Sequence, residues 1–107
     1  MKNVNTSLEE FIGLSTSNPD TLNVIDFKAI WCEPCKKLQP MMEDLVLNYP
    51  SVNFYQIDID DAVTEEIVDH FNIKALPTTI YLKNGEIVGN VVGIDIQVIE
   101  NTVNDNL

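Results

Sequence analysis

The segment Leu22-Asn23-Val24-Ile25-Asp26-Phe27-Lys28 carries apolar side chains on both faces of a strand, Leu22 and Val24 on one and Ile25 and Phe27 on the other. Alternate residues of a strand point to opposite faces, so a strand apolar on both is covered on both sides. This forces a sheet with packing above and below it, and places Asp26 in a buried position. Directly after the strand comes Trp31-Cys32-Glu33-Pro34-Cys35, which holds the only two cysteines and the only tryptophan of the chain. Residues three apart meet on one side of a helical turn, so Cys-x-x-Cys allows one small disulfide ring. A helix-like run follows. A thiol pair where a strand hands over to a helix sits at the helix N-terminus, whose unpaired N–H groups and dipole favour a thiolate over a thiol.

The remaining pattern supplies the cover. From Cys35 to Tyr49 the apolar positions are Leu38, Met41, Met42, Leu45, Val46 and Tyr49, the spacing of an amphipathic helix. Pro40 lies inside it, where a missing backbone donor and a clash with the preceding turn predict a kink, and Pro50 closes it. Upstream, Ser7 as N-cap with Glu10 after it predicts a first helix with Leu8, Phe11 and Ile12 on one face, ended by Asn18-Pro19-Asp20. Val4–Thr6 is a candidate short edge strand. Val52–Asp58 reads as the next full strand, and Asp60 or Asp61 can cap a helix carrying Val63, Ile67, Val68 and Phe71. Thr78–Lys83 and Glu86–Val92, joined by Asn84-Gly85, carry the strongest short hairpin signal. Asp95 can cap a final helix lined by Ile96, Ile99 and Val103. The order β-α-β-α-β-α-β-β-α predicts an α/β fold, a three-layer α/β/α sandwich around a central mixed sheet. Helix-linked strands are expected to be parallel, with the terminal hairpin as an antiparallel edge. The chain reads as one domain, residues 1–107, large enough to bury a core without disulfide staples.

Charge narrows the partners. Six basic residues stand against 17 acidic ones, a formal charge of −11, and all six are lysines (2, 28, 36, 37, 74 and 83). Such a chain repels nucleic acid and anionic lipid, so neither is expected as a partner, and it steers towards basic surfaces. No run of 18 apolar residues occurs, and the first twenty residues hold no apolar stretch of signal-peptide length. The expected setting is therefore cytoplasmic and reducing, where a Cys pair is redox-active or metal-binding rather than structural. Zinc needs four ligands, and His70 is the only histidine with no further cysteine to join it, so no metal is expected. Asp58, Asp60 and Asp61 lack the EF-hand pattern and read as a strand end and a cap. His70, Met41 and Met42 read as packing residues, and Asn5-Thr6-Ser7 as a glycosylation triplet idle in that compartment.

The run Ile25-Asp26-Phe27-Lys28-Ala29-Ile30-Trp31-Cys32-Glu33-Pro34-Cys35-Lys36 resembles the thioredoxin family. Ala75-Leu76-Pro77-Thr78 resembles the family's cis-proline loop, Lys83-Asn84-Gly85-Glu86 its hairpin, and Gly93 the glycine beside its site. The resemblance covers nearly the whole chain and implies the thioredoxin fold and a protein-disulfide reductase of cell redox homeostasis. It implies Cys32 as nucleophile, Cys35 as resolving thiol, and Asp26 beneath the pair as proton acceptor and donor. Trp31, Pro34, Leu76, Pro77, Thr78 and Gly93 would contact substrate, with Leu76 and Thr78 offering a backbone edge to an extended segment. The redox couple is the Cys pair, so no bound cofactor is implied. Electrons would come from thioredoxin reductase, an NADPH-dependent flavoprotein, and go to disulfide-containing proteins, with the chain acting as a monomer. Four positions depart from the family pattern. Glu33 stands where glycine is usual, Lys28 for an aromatic residue, Ile30 for a polar one, and Gln56 where many members carry a lysine near the aspartate. The Glu33 charge should oppose the Cys32 thiolate while Lys36 favours it, and without a lysine at 56 the Asp26 carboxyl should be a weaker acid. The alternative is a binding module of the same fold that docks a dedicated basic partner without turnover.

Overall fold

Both apolar faces of Leu22–Lys28 are covered. In the computed structural model, which describes residues 1–107, this segment is β2, the middle strand of a five-stranded sheet. The elements in chain order are β1 (Lys2–Asn3), α1 (Leu8–Thr16), β2, α2 (Glu33–Asn48), β3 (Asn53–Asp58), α3 (Glu65–His70, after a 3-10 turn at Ala62–Thr64), β4 (Thr78–Lys83), β5 (Glu86–Val92) and α4 (Ile96–Asp105). The strand order is β1-β3-β2-β4-β5. On one side of the sheet, Leu22 and Val24 pack with Leu38, Met42 and Leu45 of α2 and Ile99 and Val103 of α4. On the other, Ile25 and Phe27 pack with Phe11 of α1 and Ile67 of α3. This is the expected three-layer sandwich.

Three details differ from the expected arrangement. First, β4 follows a helix yet lies antiparallel to β2, with Phe27 opposite Thr78 and Leu22 opposite Lys83. A six-residue helix such as α3 spans only about 9 Å. A six-residue strand covers roughly 20 Å. The connection therefore returns to the end of the sheet it left, and β4 starts beside the end of β2. Second, β1 lies at Lys2–Asn3 rather than Val4–Thr6, pairing in parallel with Tyr55 and Gln56. The Val4 N–H still bonds the Gln56 carbonyl at 3.0 Å, but the Val4 side chain is spent in the core under α1. Third, Ile12 is exposed, and Ser15 takes the inward position one turn after Phe11. Its carbonyl accepts from Asn23 Nδ2 at 3.0 Å, which ties α1 to β2.

The capping and turn signals of the other elements hold, but Val63, expected on the apolar face of the third helix, lies in the 3-10 turn and is exposed, and Phe71 follows the helix end. Ser7 caps α1 by accepting from the Glu10 N–H at 3.2 Å, and Asp61 caps the 3-10 turn by accepting from Val63. Asp95 caps α4 through Gln97 and Val98. Asn84 and Gly85 both have positive φ, 52° and 80°, as the tight hairpin requires. Pro40 lies inside α2, which continues as helix on both sides of it. Its ring leaves the Lys36 carbonyl without an i+4 donor.

Candidate active site

The site is assembled where β2 ends and α2 begins. Cys32 is the N-cap of α2: its Sγ accepts from the Cys35 N–H at 3.3 Å, and its own N–H bonds Ala29 O at 3.1 Å. A capping sulfur takes one of the donors that a helix start leaves unpaired. Pro34 sits in the first turn, where its missing N–H is not needed. The two cysteines are joined as a disulfide with their Cα atoms 5.3 Å apart, and both are buried against Ala29. No group of three or more His, Cys, Asp or Glu side chains converges on them or elsewhere in a metal-holding cluster.

A groove of about 400 Å³ runs past the pair, lined by Trp31, Cys32, Glu33 and Pro34 on one wall and by Ile59 and Ile73–Leu76 on the other. Trp31 is 65% exposed, and its indole N–H donates to Asp60 Oδ2 at 2.7 Å. The ring is therefore pinned beside the groove rather than packed in the core. The Leu76–Pro77 bond is cis. Pro77 is buried, and its carbonyl accepts from the Gly93 N–H at 2.9 Å, which joins the loop to the end of β5. Gly93 adopts φ 105° and a Cβ there would meet nothing within 4 Å, so its face is open. Thr78 is not an open edge: it is paired between Phe27 and Val92, and its hydroxyl donates to Ala75 O at 2.6 Å. The Leu76 N–H and C=O make no backbone hydrogen bond within the chain, so the free edge expected at Leu76 and Thr78 is at Leu76 alone.

Charges around the pair offset each other. Glu33 and Lys36 form an exposed ion pair at 2.9 Å across one turn, and this hydrogen bond and charge hold the Glu33 carboxyl below its ordinary range. The two charges expected to act on Cys32 in opposite directions are therefore paired with each other. Lys28, Ile30, Cys35, Lys36 and Gln39 line a second groove of about 320 Å³ together with Ala29.

Asp26 lies on the α2 face of β2, 1% exposed, and neither carboxylate oxygen has a hydrogen-bond partner. Burial pushes its carboxyl up from 3.8 to about 7, partly opposed by the Lys28 charge. Its neighbours across the sheet are Gln56 on β3 and Thr79 on β4. Sequence reasoning missed Asp60 as the partner of Trp31, and the Ile59, Ile73 and Lys74 wall. The Asp60 assignment failed because an acidic residue after a strand is first read as a cap; the cap is its neighbour Asp61.

A disulfide-linked cysteine pair at a helix N-terminus, beside a cis-proline loop on an α/β/α sandwich, defines a dithiol-disulfide exchange site. The sequence profile of the family described as thioredoxin matches residues 4–105. Mitochondrial thioredoxin-3 of Saccharomyces cerevisiae is 37% identical over 94% of this chain and 76% of its own length, and thioredoxin of Ophiophagus hannah 35% identical over 90% of each. Among solved structures, Fasciola hepatica thioredoxin superposes with a TM-score of 0.92 at 29% identity over the full length of both chains. The chain belongs to the thioredoxin family. It is a thiol-disulfide oxidoreductase, a protein-disulfide reductase whose redox couple is Cys32–Cys35, and the docking-only alternative is set aside.

Proposed function

We propose that reduction of a target runs through named atoms as follows. The Cys32 thiolate attacks one sulfur of the target disulfide, forming a mixed disulfide and releasing the first target sulfur as a thiolate. Cys35 then loses its proton to the Asp26 carboxylate and attacks Cys32 Sγ. The second target sulfur leaves, and the chain is left with the Cys32–Cys35 disulfide, two electrons having passed to the target. The observation that carries this assignment is the capping of α2 by Cys32 Sγ, which gives that sulfur the helix N-terminus and a backbone donor at 3.3 Å. A sulfur so placed is stabilised as the attacking anion. Asp26, titrating at about 7, is present in both forms at neutral pH and so can take the proton and return it.

Target binding is assigned to the groove between Trp31 and Leu76. An extended segment can pair with the free Leu76 N–H and C=O by strand addition, its apolar side chains against Trp31, Ile59 and Ile73. Pro77, through its cis bond and the Gly93 N–H that its carbonyl accepts, fixes the loop that carries Leu76, and Thr78 acts through its place in the sheet rather than by contact. Thioredoxin reductase supplies the electrons, in this reading an NADPH-dependent flavoprotein, and the chain works as a monomer in the cytoplasm. The decisive experiment is reduction of insulin by dithiothreitol with catalytic amounts of the protein. Turnover should vanish in Cys32→Ser, whereas Cys35→Ser should accumulate a mixed disulfide with the target. Turnover surviving in Cys32→Ser would overturn the assignment of the nucleophile.

A further inference from the structure

Across the α2 face of the sheet, one register line carries only polar residues over four strands. Asn3 of β1 lies opposite Gln56 of β3, Gln56 opposite Asp26 of β2, and Asp26 opposite Thr79 of β4. All four share the face that holds Val24, Phe54 and Tyr81, because paired residues point the same way and their neighbours two positions away belong to the α2 and α4 core. The line runs from an exposed edge residue, Asn3, to a buried carboxyl.

The hydrogen bonding along this line is incomplete in one place only. Three buried side-chain oxygens of the molecule have no partner: both carboxylate oxygens of Asp26 and Oε1 of Gln56. They belong to adjacent residues of one register pair. The Gln56 amide is oriented by its other end, since Nε2 donates to Asn3 Oδ1. Its nitrogen is thus turned outward and its oxygen inward. On the opposite flank of Asp26, the Thr79 hydroxyl is engaged with Tyr81 Oη at 2.7 Å and reaches Val91 O at 3.4 Å. An ionised Asp26 would bring more unsatisfied acceptors up to Gln56 Oε1, each costing desolvation with nothing in return. A single proton on Asp26 changes this, because a carboxylic acid is a donor and the inward carbonyl is an unused acceptor.

We propose that Asn3 and Gln56 are positioning residues for the proton on Asp26: Asn3 Oδ1 holds the Gln56 amide with its carbonyl inward, and that carbonyl accepts the hydrogen bond of the Asp26 carboxyl. The proposal rests on the proton-carrier role assigned to Asp26 above and adds the residues that set it. A carboxylate whose conjugate acid is stabilised is the stronger base, so the same bond that holds the proton at rest favours its removal from Cys35 during resolution. The amide can also turn. With Nε2 inward it would donate to a carboxylate; Asn3, standing with Oδ1 towards Gln56, accepts only from Nε2 held outward and so opposes that turn.

The charged and titratable groups on this face are Lys28 on β2, Asp58 at the end of β3, Tyr81 and Lys83 on β4, Cys35, Lys36 and Glu43 from α2 with Tyr49 at its end, Glu100 from α4, and the Met1 ammonium, which is paired with Glu43. None lies on β1, whose one charged side chain, Lys2, pairs with Tyr55 and points to the α1 face. Replacing Asn3 by alanine therefore changes no charge and touches no group that faces Asp26 except through Gln56.

The test is the titration of the Asp26 side-chain carbon in the reduced full-length protein, followed by NMR, which needs no turnover. In Asn3→Ala the freed amide can donate to the carboxylate, and the Asp26 midpoint should fall by about one pH unit. In Gln56→Leu the same Asn3→Ala change should leave the midpoint where Gln56→Leu alone puts it. An unchanged midpoint in Asn3→Ala overturns the proposal. So does an equal fall in the Gln56→Leu background, which would mean that loosening β1 admits water by another route. Loss of insulin reduction in Cys35→Ser without a trapped mixed disulfide would instead count against the mechanism, whatever Asp26 does.

Discussion

Asp26 is the residue at which stability and chemistry conflict. Its carboxyl titrates near 3.8 when exposed and at about 7 in the fold, because burial removes it from water. A folded value above the unfolded one means that the folded state binds the proton more tightly. The resulting stability is complete below about pH 4 and is lost as pH rises through 7. A difference of one pH unit between the folded and unfolded midpoints corresponds to about 1.4 kcal/mol. The loss should therefore be on the order of 4 kcal/mol. Asp26→Asn, neutral at every pH, should match the parent below pH 4 and exceed it by that order at pH 8. Urea denaturation at the two pH values measures this, and equal stabilities at pH 8 would show that the charge is solvated after all. The same variant should slow release of the mixed disulfide, since it cannot take the Cys35 proton. A site residue that weakens its own protein is best explained by what it does there. Glu33 is a contrasting case at this scale: its charge is exposed and paired with Lys36 across one turn.

At the scale of elements, the contact between β5 and α4 shows what sequence patterns did not reveal. Gly89 lies opposite Tyr81, next to an irregularity in register between Tyr81 and Leu82. A Cβ at 89 would stand 2.7 Å from Thr102 Cγ2 on α4 and 3.1 Å from the Tyr81 ring. Tyr81 is fully buried and cannot give way. Gly89→Ala should then destabilise the protein by about 1–3 kcal/mol, the usual range for overpacking. Insulin reduction at 25 °C should be nearly unchanged, because Gly89 is far along β5 from Gly93 and the cis-proline loop. A thermal shift assay beside the activity assay separates these outcomes, and an unshifted midpoint would mean that α4 moves off freely. In the sequence, Gly89 is an isolated glycine within an apolar strand and signals little. By contrast, β2, α2 and the hairpin were legible because local pattern alone determines them: two apolar faces, a helical repeat of apolar side chains, and Asn84-Gly85. The direction of β4 was not, since it depends on where a short helix leaves the chain. The site divides in the same way. Cys32, Cys35 and Pro34 follow from contiguous residues, whereas the Asp60–Trp31 bond and the Ile73–Leu76 wall join segments far apart in the chain and have no local signature.

For the whole molecule the dominant quantity is charge. Seventeen side-chain carboxylates face six lysines, and only one lysine, Lys36, is ion-paired to one of them. The chain extends 31 × 31 × 20 Å. At about 10 mM salt the screening length is roughly 30 Å, so every charge on the molecule is felt at the groove. At about 1 M it is roughly 3 Å, and only the groove's own residues count. The lysines are not evenly spread: Lys28, Lys36 and Lys74 line the two grooves beside the cysteines, which softens the local field without reversing the global one. Two regimes follow. At low salt a peptide disulfide flanked by lysines should be reduced faster than the same peptide flanked by glutamates, by about 3- to 10-fold in kcat/KM, the low end of electrostatic steering. As salt rises the ratio should fall towards one, and the groove lysines would then let the acidic peptide draw level. Measuring both peptides from about 10 mM to 1 M salt checks the crossover. A ratio near one at low salt would mean that the lysines beside the cysteines outweigh the rest of the surface, and that partner choice is set in the groove rather than by the charge of the chain.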